Sequence, residues 1–234
     1  FLGYVGSLPG RIKRAAGARP ERREGVVSMT AINEMIEAAK DPRLRFVFYC
    51  AGHAGMRAGE IKRAAVSWFD LRRKVISIPA WAEMEIKGKS VAWRPKDSEA
   101  REIPISAPFL SFLEGFLSGK EGRVLCGRQG CLYDFRLPFG KLAKAVGHPD
   151  LFPHALRHSW ITQLCNSGNH SIQEVAAWSG DCLATIEANY WHKRAEPGAL
   201  DKTLAGVRES EERARKLEEL LAIAQSQTRA AHTY

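Results

Sequence analysis

Two stretches in which apolar residues recur every three or four positions flank a middle stretch in which they alternate. In the first, Ile32, Met35, Ile36 and Ala39 fall on one helical face, with Thr30 expected as the N-cap. Asp41-Pro42 then supplies a cap and a first-turn proline for a second helix carrying Leu44, Val47 and Phe48. Gly52 and Gly55 break that helix, and a short one follows from Arg57 to about Ala65. The period then changes. Residues 75–78, 89–93 and 101–105 predict three strands of one small antiparallel sheet, with 96–99 as the turn before the third. Pro104 cannot donate to a ladder and is expected at an edge or a strand end. Helical spacing returns at 107–118, 133–146, 154–167 and 171–178, then in a short helix reaching Tyr190. Gly168 is the expected C-cap of the third of these, and Ser171 the N-cap of the fourth. Residues 207–226 form a charged amphipathic helix with Val207, Ala214, Leu217, Leu220, Leu221 and Ala224 in its stripe. The predicted class is α+β, mainly helical, with one three-stranded sheet and no internal repeat.

Residues 1–25 break the pattern. They are rich in Gly, Pro and Arg, and read as a basic arm or linker. The 234 residues, 45% hydrophobic, suffice for one large domain or two small ones with a sizeable core. Lys and Arg total 35 against 26 acidic residues, a net charge of +9. That excess suits an anionic partner, because each phosphate neutralised releases condensed counterions. On charge alone, a solubilising surface fits as well. No run approaches the ~18–20 apolar residues of a membrane span. Phe1 to Val5 lack the basic region and long apolar stretch of a signal peptide, and the missing initiating Met suits a piece of a longer chain. Five irregularly spaced cysteines read as reduced thiols of a cytoplasmic protein, and Cys126 and Cys131 lack the second close pair of a zinc site.

Four short segments carry the candidate chemistry. They are Ala54-Gly55-Met56-Arg57-Ala58-Gly59-Glu60-Ile61, Arg94-Pro95-Lys96-Asp97, His154-Ala155-Leu156-Arg157-His158-Ser159 and Asn189-Tyr190-Trp191-His192. Guanidinium forks meet two phosphate oxygens at once and stay protonated, so Arg57 and Arg157 suit a phosphorane's charge. Glu60 lies three residues after Arg57, on the same helical face, and can orient it. His154 and Arg157 are likewise three apart and can address one phosphate together. His158 stands four after His154, a spacing that can hold zinc, but the Glu of a metalloprotease helix is absent between them. A metal-dependent hydrolase on that pair is therefore one alternative, and a core or supporting role for His158 another. A lone surface arginine, solvated lysine or packed tyrosine is the plain reading of Arg57, Lys96 or Tyr190 taken singly.

Taken in this order and at these spacings, the four segments resemble the catalytic domain of the tyrosine recombinases, the phage-integrase family, over about Val26 to His192. The resemblance implies a catalytic domain over 26–206, preceded by the arm at 1–25 and followed by the helix and tail at 207–234. In the family a separate helical DNA-clamping domain usually precedes such an arm, and none stands before Val26 in this sequence. The implied activity is cleavage and rejoining of DNA through a 3′-phosphotyrosyl link, without cofactor or metal. Tyr190 would be the nucleophile, Arg57 and Arg157 the charge stabilisers, Lys96 the proton donor to the leaving oxygen and His154 a proton acceptor or phosphate donor. Glu60, Asp181 and His192 would support them, and Arg57, Lys96, Arg101 and Arg157 would face the DNA. The implied partners are double-stranded DNA, three further copies in a tetramer on DNA (a monomer when free) and an accessory directionality factor, in a bacterial cytoplasm at the nucleoid. One departure stands out. The family places His or Trp nine residues before the tyrosine, where this chain has Asp181. A carboxylate there repels phosphate unless protonated or turned away. A type IB topoisomerase-like enzyme and a catalytically impaired DNA-binding relative therefore remain alternatives.

Overall fold

The computed structural model describes residues 26–95, 99–149, 151–190, 212–213 and 215–217. The chain divides into two units, Phe1–Trp191 and His192–Tyr234. In the first, α1 spans Met29–Ala38 and α2 spans Pro42–Gly52. The cap of α1 is Ser28, not Thr30. Its backbone is extended and its Oγ accepts from Ala31 N at 3.2 Å. Both residues are good caps by type, and only the backbone turn decides between them. For α2, Asp41 Oδ1 accepts from Arg43 N at 2.9 Å and Pro42 fills the first turn, as the sequence predicts. Leu44, Phe46, Val47, Phe48, Cys50 and Ala51 are all buried, so α2 is hydrophobic nearly all round and forms the spine of the core. It packs on α1 and on α6, Pro153–Asn166.

The strands depart from expectation in their pairing. The three-stranded antiparallel sheet is β1 (Phe69–Asp70), β2 (Val75–Ile78) and β5 (Arg101–Pro104), in the order β1-β2-β5. Ile76 and Ile103 face each other across it, both fully buried. Lys89–Trp93 is a strand, β4, but it pairs with β3 (Ala82–Ile86) in a separate two-stranded ribbon. Four of the five residues of β4 are exposed, so the strand has no apolar face to lay against the core sheet. Trp93 anchors the ribbon by stacking on Trp68 at 5.6 Å between ring centroids. Pro104 closes β5, at the strand end.

The same unit holds helices α3 (Ala58–Ile61), α4 (Ala107–Phe116), α5 (Arg136–Ala145), α7 (Ile172–Ser179) and α8 (Leu183–Asn189). Ser171 caps α7, and Glu174 closes the capping box by accepting from Ser171 N at 2.8 Å. Helix α6 ends at Asn166 with Ser167 as its C-cap, one residue earlier than expected, and Gly168, with φ +72°, follows as the left-handed residue just beyond. No helix among the described residues is long and apolar enough to cross a membrane. In the second unit residues 212–213 and 215–217 are helical, with Lys216 and Glu212 paired at 3.4 Å. The remainder of the helix expected at 207–226, and the arm at 1–25, lie outside the described residues.

One buried titratable group ties α1, α2 and the start of α4 together. His53, at the C-cap of α2, meets Ser106 Oγ at 2.9 Å and Asn33 Oδ1 at 2.9 Å. Burial lowers its pKa from 6.5 to about 4, so the fold favours the neutral ring. The unfolded chain takes up the proton first as pH falls. Stability contributed by the neutral ring is therefore complete above pH 6.5 and declines as pH falls through the window down to about 4. A loss on the order of 2–3 kcal/mol over that window is expected from a shift of this size. Urea unfolding between these pH values tests it: His53→Gln should flatten the His53 part of the slope, and an unchanged slope refutes the assignment.

Candidate active site

Five charged side chains from four segments converge beside the C-terminal end of α7. Arg57 is the N-cap of the one-turn helix α3, Ala58–Ile61. The turn that delivers it needs Gly55, whose φ is +57°. A Cβ at Gly55 would lie 2.2 Å from Trp160 Cε3, so the loop is pressed directly onto α6. That contact brings the carbonyl of Gly55 within reach of Arg157 Nη1, which donates to it. The glycine thus sets the spacing between the two arginines.

Glu60, only 2% exposed, organises the near side. Its Oε2 accepts from Arg57 N at 2.8 Å, and its Oε1 lies 3.4 Å from Arg57 Nη1. Arg101, on β5, donates through Nη2 to both Glu60 oxygens, at 2.8 and 2.7 Å, and through Nε to the carbonyl of Trp178 at 3.0 Å. Its side chain is 6% exposed. Arg101 therefore braces Glu60 and α7 from within. A buried carboxylate held by two guanidinium groups is the arrangement in which such charges can leave water.

Arg157 projects from α6 and its side chain is 1% exposed. Burial pulls its guanidinium below the ordinary arginine range, and the Asp181 carboxylate opposes that pull. Its Nη2 donates to the carbonyl of Ser179 at 2.8 Å and to Asp181 Oδ2 at 2.7 Å. Arg57 Nη2 donates to the carbonyl of Gly180 at 2.6 Å and to Asp181 Oδ1 at 2.8 Å. Asp181 thus bridges the two arginines, one carboxylate oxygen to each. Gly180, with φ +67°, terminates α7 and makes the bend that turns the chain toward them.

Tyr190 stands at the C-cap of α8, 7% exposed. Its ring lies 4.7 Å from that of His158, centroid to centroid. Burial raises the phenol's pKa, the Asp181 carboxylate adds to this, and Arg157 and Arg57 work against it. His154 is exposed in the first turn of α6, one turn before Arg157. Arg57, Glu60, Arg101, Arg157 and Asp181 are brought into one network. Tyr190 stands near enough to feel the charges of Arg57, Arg157 and Asp181. Lys96 and His192 lie outside the described residues. Sequence reasoning did not see that Arg101 supports Glu60, nor that four backbone carbonyls, of Gly55, Trp178, Ser179 and Gly180, hold the arginines. No side-chain pattern announces a carbonyl. Among the described residues no group of three or more His, Cys, Asp or Glu could hold a metal ion.

This geometry sits inside a recognised sequence family. The sequence model described as the phage integrase family matches residues 26–196, most of the chain and every described site residue. The chain belongs to the phage integrase family. A putative prophage phiRv2 integrase of Mycobacterium tuberculosis is 26% identical over 202 residues, covering 80% of this chain and 52% of the relative. The chain thus spans about half the length of that relative. Among solved structures, a XerA recombinase superposes with TM-score 0.59 at 20% identity, covering 86% of this chain and 70% of its own. A Tn1549 transposon integrase in complex with a circular intermediate DNA gives TM-score 0.57 at 18% identity, covering 77% and 63%. The fold of this phage-integrase-family chain is accordingly that of tyrosine recombinase catalytic domains, mainly helical with a small antiparallel sheet.

Proposed function

We propose that this chain is the catalytic part of a site-specific DNA recombinase that cleaves and rejoins strands through a 3′-phosphotyrosyl intermediate. One observation carries the reading most directly. The Nη2 atoms of Arg57 and Arg157 converge on a single anionic group at 2.8 and 2.7 Å, with Tyr190 nearby on the same chain. Two guanidinium groups so placed would grip the two non-bridging oxygens of a scissile phosphate and follow their charge into the pentacoordinate transition state. The phenol oxygen of Tyr190 attacks phosphorus, the tyrosyl O–P bond forms and the P–O5′ bond breaks. The phenol's proton passes to His154, and Lys96 protonates the departing 5′-oxygen; the role of Lys96 rests on its place in the sequence. Energy of the broken ester is kept in the phosphotyrosyl bond, so rejoining requires no nucleotide. The relatives named as integrases, one of them in complex with DNA, support double-stranded DNA as the substrate. Assembly as a tetramer on DNA, with an accessory directionality factor, belongs to the same proposal. Arg101 acts in it as a brace for Glu60 and hence for Arg57, and not as a DNA contact.

A second reading has its own observation. Asp181 fills the arginine fork with negative charge, which suits a relative that binds DNA without cutting it. Covalent capture separates the two. The probe is a pool of duplexes nicked once, with randomised sequence around the nick, from which cleavage releases a short strand. Denaturant-resistant protein–DNA adducts support the strand transferase. Retention of DNA with no adduct at any protein concentration selects the binding-only relative.

A further inference from the structure

Asp181 lies between Arg57 and Arg157, where the proposed reading would seat a phosphate. Each Nη2 carries two N–H groups. In Arg57 they are taken by the carbonyl of Gly180 and by Asp181, and in Arg157 by the carbonyl of Ser179 and by Asp181. The carbonyls belong to the backbone at the end of α7, whereas the Asp181 carboxylate hangs on a single side chain. An external anion can therefore reach both Nη2 atoms only if Asp181 leaves them. Charge agrees with geometry. Three guanidinium groups (Arg57, Arg101, Arg157) face two carboxylates (Glu60, Asp181), and a phosphodiester brings the single negative charge that Asp181 supplies.

Nothing equivalent holds for the other carboxylate. Glu60 is 2% exposed and grips Arg101 with both oxygens, whereas the Asp181 side chain is 19% exposed and is held only at its tip. Asp181 also sits between a left-handed glycine and the N-cap of α8, outside any helix, where a rotation about its side chain disturbs no ladder. We infer that Asp181 is a built-in competitor for the phosphate seat: an autoinhibitory latch that holds the Arg57–Arg157 fork closed until a phosphate displaces it. This rests on the proposed recombinase reading for its biological purpose, but the competition itself does not. An intramolecular ligand acts at an effective concentration of millimolar or more, so it weakens any anion that must take its place.

The test separates latch from function. Inorganic phosphate is the first probe, titrated against wild type, Asp181→Asn and Asp181→Ala, with binding followed by the guanidinium NMR signals of Arg57 and Arg157. The neutral variants should bind phosphate at least about tenfold more tightly than wild type, a difference of about 1.4 kcal/mol. Equal or weaker binding by folded variants overturns the latch. Losing a charge beside buried Arg157 could cost the variants their fold, so wild type supplies an independent measurement. On adding saturating phosphate, amide hydrogen exchange at Asp181 and Cys182 should speed up even though the bound anion raises global stability. Slower exchange there would mean that Asp181 stays on the arginines and overturns the latch. The nicked-duplex pool is the second probe. Faster adduct formation by Asp181→Asn supports the latch in the enzyme. Tighter phosphate binding with no adduct from any variant leaves the latch standing and removes the recombinase reading; slower adduct formation with unchanged phosphate affinity removes the latch and leaves the recombinase.

Discussion

Tyr190→Phe is expected to abolish covalent capture while the protein still folds and still binds DNA. The ring fills a position only 7% exposed, against His158, and phenylalanine keeps that volume. Only the hydroxyl is lost, and with it the single atom able to form the ester to phosphorus. A true nucleophile has no partial substitute, so the adduct should fall below detection. Thermal unfolding and retention of the nicked pool on the variant serve as controls. If the Phe variant still forms adduct, the nucleophile lies elsewhere, with Tyr133 the next described tyrosine to test. The same experiment bears on the proton. Burial first, and Asp181 second, hold the Tyr190 phenol above its ordinary pKa of 10, so it is neutral when it meets DNA. Attack therefore needs an acceptor within reach, and loss of His154 should slow capture.

The site was legible where chemistry is local and opaque where it depends on the backbone. His154 and Arg157 lie three residues apart within α6, so helix geometry alone places them on a face, whereas Arg57 precedes its helix as an extended N-cap and Glu60 reaches back to its N–H. Asp41-Pro42 and Ser171 through Glu174 likewise carry their capping chemistry in the sequence, and both caps form. Ser28 and Thr30 show the limit of such signals, since two good caps stood two residues apart and the chain enters the helix at the earlier. The sheet shows another. Alternation told that 89–93 is a strand but could not name its partner, and β3, with Glu83 and Glu85 among few strand-formers, gave a weak signal of its own. The pairing of β2 with β5 skips the whole ribbon, a choice made by which strands have a buried face. Asp181 is the clearest case. Sequence position alone set a carboxylate beside a phosphate and found a conflict. The structure shows that carboxylate bridging Arg57 and Arg157, where the proposed reading seats the phosphate, through a contact to Arg57 that spans 124 residues.

Arg57→Ala and Arg157→Ala should separate chemistry from folding. Each is expected to slow adduct formation by about 10²–10³-fold, on the order of 3–4 kcal/mol, as removal of one preorganised donor does in other sites. Their effects on stability should differ sharply. Without Arg57, Glu60 keeps Arg101 and Asp181 keeps Arg157, so neither carboxylate is left unpaired. The Arg57 side chain is also 17% exposed, and water can enter where it stood. Arg157 is 1% exposed and donates to the carbonyls of both Gly55 and Ser179. Its removal leaves those carbonyls buried without this donor and loosens the loop that Gly55 presses onto Trp160. A stability loss of roughly 3–5 kcal/mol is the scale for breaking a buried charge pair from one side. Urea unfolding read beside single-turnover capture would show it: Arg57→Ala near wild-type stability with a large rate defect, Arg157→Ala with both defects. Lysine at either position keeps the charge but loses the planar fork, and should recover only a minor part of the rate. If both alanine variants capture DNA within a few-fold of wild type, the convergence of these two guanidinium groups on one anion is a device of the fold alone.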